Sequence, residues 1–324
     1  MRRYGMILAA VAATCAAPVW AAGKSAQAPR TPSGAPSLDG LWSGASYKPL
    51  ERPDDFKTLA VTPDAARAYE ARVAHTGGVN IPPEVDPLGQ ATSEFPESGV
   101  GLARIRGEIR SSIIVDPADG KIPWSDAGKA RKRKFSYDGP EARPDNERCM
   151  ASSTTGAPTV PAEDANVLQI VQTPGDIVLL SERYHDARII RMTPPPARAA
   201  PRSWLGESHG RWDGDTLVVR TQGLLDRVIG HGDDITLSGD TVVEERFTRV
   251  GPQEILYAFT VTDPTLFTQP WRGEVLLRPS PGRWFPYDCH EGNYSIVNVL
   301  QAARLGRQET PKAEKPPEPP SPAR

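Results

Sequence analysis

A bias toward one sign of charge is missing from this chain. Over 324 residues, 38 Lys and Arg face 40 Asp and Glu, for a formal net charge of −2. That balance argues against nucleic acid or an anionic membrane surface as the main partner. Histidine is sparse, at 5 residues, and no two are spaced H-x-H or H-x₃-H, so nothing in the spacing demands a metal. No fixed-period repeat occurs. The alternation of strand and helix that builds parallel α/β sheets is missing too. The one extended apolar run, Ile7 to Ala17, is too short to span a bilayer as a mature helix.

That run instead reads as the core of a secretory signal. Arg2 and Arg3 supply the charged start, and Val19-Trp20-Ala21 puts small residues at the −3 and −1 positions, so cleavage is expected after Ala21, with Ala22 as second choice. Tyr4-Gly5-Met6 fits twin-Arg export poorly, and Thr14 before Cys15 is wrong for lipoprotein processing. The mature chain is expected to be periplasmic or secreted, with no stable membrane insertion. Of 3 cysteines, Cys15 leaves with the signal, and Cys149 and Cys289 remain. In an oxidising compartment two cysteines most simply form one disulfide. On the chain-entropy account a loop that long stabilises by ~4–5 kcal/mol. A pair of metal ligands or a free thiol is the competing reading.

What the chain has in excess is proline, 34 residues beside 38% hydrophobic ones. Set between short apolar runs, these prolines predict a loop-rich β protein. Residues 22–38 read as a flexible linker, and 39–150 as an irregular N-terminal wrap with short strands and helices. Within the wrap, Leu38 to Gly44 is a short strand. Thr62-Pro63-Asp64 opens a helix that runs through Arg72, with Thr62 as N-cap and Pro63 at the first helical position. A second helix is expected from after Trp124 to about Lys134. Its Lys129, Arg131, Lys132, Arg133 and Lys134 read as a solvated face rather than a phosphate patch.

From Val167 the period becomes that of strands. Residues 151–306 are expected to form an antiparallel β domain with a closing helix from Tyr294 to Leu305, capped by Gly306. A disordered Pro-rich tail, 307–324, follows. The hairpins are Val167–Gln172 with Ile177–Glu182, Gly206–Asp213 with Thr216–Thr221 around an Asp-Gly turn, and Thr241–Val250 with Ile255–Thr262. Ala187–Met192, Trp271–Arg278 and Trp284–Cys289 are further strands. The fold class is mainly β, an antiparallel meander forming a lipocalin-like barrel or barrel-like sandwich with a few short helices.

Several constellations could carry chemistry. Gly206-Glu207-Ser208-His209-Gly210 matches the G-x-S-x-G elbow of serine hydrolases. That motif needs a strand-to-helix turn, whereas Arg211-Trp212-Asp213-Gly214 continues as strand and turn. Parity places Val243, Glu245 and Phe247 on one strand face and Tyr257, Phe259 and Val261 on the facing one. Glu245 is therefore either a carboxylate raised in pKa by apolar surroundings, fit for acid/base work, or the structural partner of an interior arginine such as Arg188 or Arg220. Cys289-His290-Glu291 closes a strand. With Cys289 in a disulfide, His290 and Glu291 are a second acid/base pair, or else they bond the loop and cap the last helix. Glu182, His185, Arg188, Trp212, Tyr257 and Phe259 are the candidate ligand-binding residues.

Gly210 to Val219, Glu245-Arg246-Phe247, Asp263-Pro264 and Cys289 to Tyr294 together resemble a broad, uncharacterised family of secreted bacterial β-rich proteins. The resemblance covers roughly residues 105–305. Members often carry Arg where this chain has His209, which further weakens the elbow reading of Ser208. The resemblance implies export and a single β-rich unit, and it leaves the mechanism open. The leading expectation is a small-molecule site, apolar or aromatic, inside or at the mouth of the barrel. Glu245, His290 and Glu291 would serve there as isomerase, lyase or hydrolase groups. The alternative is a non-catalytic binding or envelope-associated structural protein, and a His-based metalloenzyme is the third reading. No cofactor is required by the sequence, and substrate and oligomeric state are beyond it.

Overall fold

The computed structural model describes residues 29–44, 49–76, 102–131, 138–139, 143, 148–150, 156–160, 167–182, 184, 186–195, 201–229, 235–280, 284 and 293–309. The elements begin with β1 (Gly40–Ser43), β2 (Ala60–Val61), α1 (Pro63–Thr76), β3 (Arg104–Ile105), β4 (Glu108–Arg110), β5 (Ile114–Asp116) and α2 (Asp126–Arg131). Then come β6 (Val167–Gln172), β7 (Asp176–Ser181), β8 (Ala187–Arg191), β9 (Glu207–Asp213), β10 (Thr216–Gln222), β11 (Arg227–Ile229) and β12 (Ile235–Leu237). The series ends with β13 (Val242–Gly251), β14 (Glu254–Thr262), β15 (Trp271–Pro279) and α3 (Tyr294–Glu309).

Nine strands close into a barrel in the order β1, β6, β7, β8, β9, β10, β13, β14, β15 and back to β1. The last joint is short: β15 pairs with β1 at Trp42↔Pro279 and Ser43↔Arg278, and with β5 farther along the same side. Strand β1 therefore belongs to the barrel, although the sequence groups it with the N-terminal wrap. A second departure concerns direction. All other neighbours in the ring are antiparallel, but β8 and β9 run parallel, through Ile190↔Ser208 and Arg191↔His209. β8 and β9 therefore do not form a hairpin.

Alternation fixes the inner face. Burial runs iBiBiB along β7, eBeBe along β8 and iBiBiBi through the start of β13. The lumen is a packed core, with Phe247–Tyr257, Tyr257–Phe259 and Phe259–Trp271 ring centroids 4.8, 5.7 and 5.6 Å apart. Gly273 faces Phe259 across the ladder, and a Cβ there would lie 2.3 Å from the ring. A glycine inside a strand marks this kind of close approach. Gly214 (φ 59°) supplies the positive φ that the two-residue loop between β9 and β10 asks of its first position.

A chain segment also enters the barrel. Gly156, Ala157, Pro158, Thr159 and Val160 are all buried, and the Thr159 N–H donates to the hydroxyl of inward-facing Tyr257 at 2.8 Å. At the end carrying the β6–β7, β9–β10 and β13–β14 turns, Pro29–Leu38 lies against the barrel, although composition reads it as linker. Arg30 pairs with Asp215 at 2.9 Å, and Gln172 Oε1 accepts from the Leu38 N–H at 2.9 Å. Arg249 stacks 5.1 Å over Trp42 and donates to Ser37 O at 2.5 Å.

Helix α1 starts as expected, with Thr62 Oγ1 accepting from the Ala65 N–H at 3.2 Å. It packs Ala66 and Tyr69 on Phe56, Leu102 and Ile109, while Ile105 seats this layer on Leu256 and Leu276, outside the barrel. Helix α3 buries Leu300 and runs to Glu309, so Gly306 lies inside it instead of ending it. Cys289, His290, Glu291 and His185 lie outside the described residues, as do the strand expected past Trp284, the tail beyond 309, and Lys132 to Lys134 of the basic run. Among the described residues no helix is long and apolar enough to cross a membrane.

Candidate functional site

Two places collect the residues singled out by the sequence. The first is the middle of the lumen. Arg188 comes from β8, one position before Ile189, which points outward at 48% exposure; Glu245 comes from β13 and Tyr257 from β14, both on inward parity. Arg188 Nη1 and Nη2 donate to Glu245 Oε2 and Oε1 at 2.7 and 2.8 Å, a two-pronged pair at 2% and 0% side-chain exposure. The Tyr257 hydroxyl donates to Glu245 Oε1 at 2.7 Å. Arg188 Nη2 also reaches Thr159 Oγ1 at 3.4 Å.

Burial alone would strip charge from Arg188, but the Glu245 carboxylate outweighs it and raises the arginine pKa. Burial and then the Glu245 charge push Tyr257 well above its ordinary range, against the opposing pull of Arg188. The phenol therefore stays a donor and the arginine a cation. Such a fork-to-fork pair neutralises the carboxylate where it stands. Of the two partners that parity allowed for Glu245, the structure selects Arg188. Arg220 lies on the outward face of β10 and is exposed. Phe259 packs edge-on to Trp271 and Glu182 is half-buried at the end of β7.

Ser208 faces inward and is 2% exposed, its hydroxyl 2.8 Å from Thr221 Oγ1. It lies within β9 with its side chain buried, which excludes an exposed elbow. Among the described residues no group of three or more His, Cys, Asp and Glu is placed to hold a metal ion.

The second place is a cleft of about 1010 Å³ at the turn end, where Trp212 belongs. It opens because β8 stops at Arg191 while β9 runs on through Gly210–Asp213, where among the described residues it has a strand neighbour on its β10 side only. Met192–Pro195, leaving β8, forms one wall; the Arg30–Pro36 segment and the β6–β7 turn form the other. His209 braces the first wall, its Nδ1 donating to Thr193 O at 2.8 Å and its Nε2 3.0 Å from Glu207 Oε1. Arg211 and Arg220 line the cleft, are exposed, and have no ion-pair or hydrogen-bond partner among the described residues. The sequence pointed to neither Thr159 nor Arg211, and it offered Arg220 only as an interior partner for Glu245. Parity on β9 and β10 carried a signal for the arginines, since Arg211 and Arg220 both alternate outward against inward Trp212 and Val219.

No protein-family model, no curated protein and no solved structure matches the chain.

Proposed function

We propose that this chain is an exported, non-catalytic binding protein that takes up a small molecule outside its packed lumen. The observation that carries the reading is the state of Glu245. A general base must reach the proton it removes, and this carboxylate is fully buried, bound on both oxygens by Arg188 and on one also by Tyr257. The Gly156–Val160 segment fills the approach to it. These groups hold the barrel together, and the ligand is met elsewhere. A Cys149–Cys289 disulfide would staple the barrel. In its support, Asn293 Nδ2 lies 3.1 Å from the buried Cys149 Sγ, which brings the chain just past Cys289 to that sulfur.

Mass spectrometry of the mature protein from its natural compartment tests both statements. The native mass is expected to exceed the denatured one by a small molecule, and the non-reduced chain to be lighter than the reduced chain by one hydrogen pair. Returned to the protein, the released molecule should come back unaltered. A chemically changed product would overturn the binding reading in favour of catalysis, with His290 and Glu291 then the next groups to vary.

A further inference from the structure

The cleft between β8 and β9 has a charge pattern that names its ligand. Its described lining holds three arginines and a single carboxylate, Glu244. Arg30 is already paired with Asp215. Glu244 turns to Arg246, at 4.0 Å, although its direct neighbour in the ladder is Arg220. Arg246 itself holds Asp213 at 3.0 Å. Arg211 and Arg220 are left without a partner among the described residues. Because His209 pairs with Arg220 and Arg211 with Val218, the two arginines are diagonal neighbours on the outer face of the β9–β10 hairpin. Diagonal positions lie roughly 7–8 Å apart, within reach of long side chains, so both guanidinium groups can close on one oxyanion and offer it paired donors.

Beside them the cleft is apolar: half-buried Met192 and Trp212 lie against the barrel core, and Pro194 and Pro195 continue the Met192 wall. Its volume is at the upper end of small-molecule sites, roughly 300–1,000 Å³. Resting on the reading of the chain as a binding protein, we infer that this cleft binds a small organic anion. Arg211 and Arg220 grip its acidic group, and Trp212, Met192 and the two prolines cover its apolar body. A carboxylate and a phosphomonoester share that chemistry.

Calorimetric titration of the full mature chain with naphthoate, naphthyl phosphate and neutral naphthylmethanol tests the inference. The expected result is binding of at least one anion and none of the alcohol. The affinity should drop about tenfold or more in the Arg211→Gln/Arg220→Gln double variant. Exposed Arg272 on β15 supplies the control, and Arg272→Gln should bind like wild type. The tighter of the two anions names the natural acidic group. Equal binding of the alcohol, unchanged affinity in the double variant, an equal loss in Arg272→Gln, or no binding of any probe by wild type would each overturn the assignment. Loss of affinity in the double variant together with chemical change of a bound probe would uphold the cleft and overturn only the binding-protein reading.

Discussion

At Glu245 and Arg188 two ions have been taken out of water and returned to each other with two hydrogen bonds, and Tyr257 supplies a third to the carboxylate. Removing one member leaves the other buried without compensation. Glu245→Gln is therefore expected to destabilise the protein by about 3–5 kcal/mol, whereas Arg188→Met/Glu245→Met together should cost less than either single change. Urea melts of Glu245→Gln, of Arg188→Met and Glu245→Met singly, and of the double variant check this. Additive losses would mean that the two side chains do not act as a pair. The inward placement of Glu245 was legible from Val243 and Phe247 on either side of it. Its partner was harder to read, because β8 carries adjacent Ile189 and Ile190, and alternation alone does not say which of them, and so whether Arg188, faces inward.

Asp263 shows the same economy at the scale of an element. It follows β14, and its carboxylate accepts from Ser238 and Thr241 hydroxyls at 2.5 and 2.8 Å and from the Thr265 and Leu266 N–H groups at 2.9 and 3.0 Å. With Pro264 following, this is the arrangement of a helix N-cap applied to a single turn. Burial would raise its pKa, but the four donors outweigh burial and lower it. The folded state thus keeps the carboxylate ionised at a pH where the unfolded chain, near its ordinary value of about 3.9, already takes a proton. That stability is complete above about pH 4 and is lost as pH falls through the folded pKa. Asp263→Asn should lose about 1–3 kcal/mol at neutral pH and show a flatter acid limb in melts followed from pH 7 to 3; parallel acid limbs would refute the assignment. The hairpins around this turn were legible because period-2 runs meet turn residues at short spacing. The parallel β8–β9 joint was not, since a Pro-rich connection reads alike whether the strands it joins run antiparallel or parallel.

For the whole molecule, the decisive joint is where β1 meets β15. Trp42 anchors it, 2% exposed, with Nε1 donating to Leu38 O at 2.8 Å and Arg249 above its ring. Trp42→Ala is expected to cost about 3–5 kcal/mol. In hydrogen exchange it should deprotect β6 and β15 together, the two strands that β1 joins. Loss of protection confined to β1 would show that the barrel stays shut without it. The sequence made β1 a strand but gave no reason to close a ring with it, because its partners lie far along the chain.

That separation governs how the molecule can be made. A hairpin can form as soon as its second strand is available, but this ring needs residues on either side of Trp42 and Pro279 at once. A nascent chain that has not yet supplied β15 holds β1 and β6 to β14 as a curled sheet with two open edges, β1 and β14. Contacts this distant in sequence close slowly, and such edges attract other strands meanwhile. The protein's exposure to aggregation is therefore concentrated in the interval before its last strand arrives.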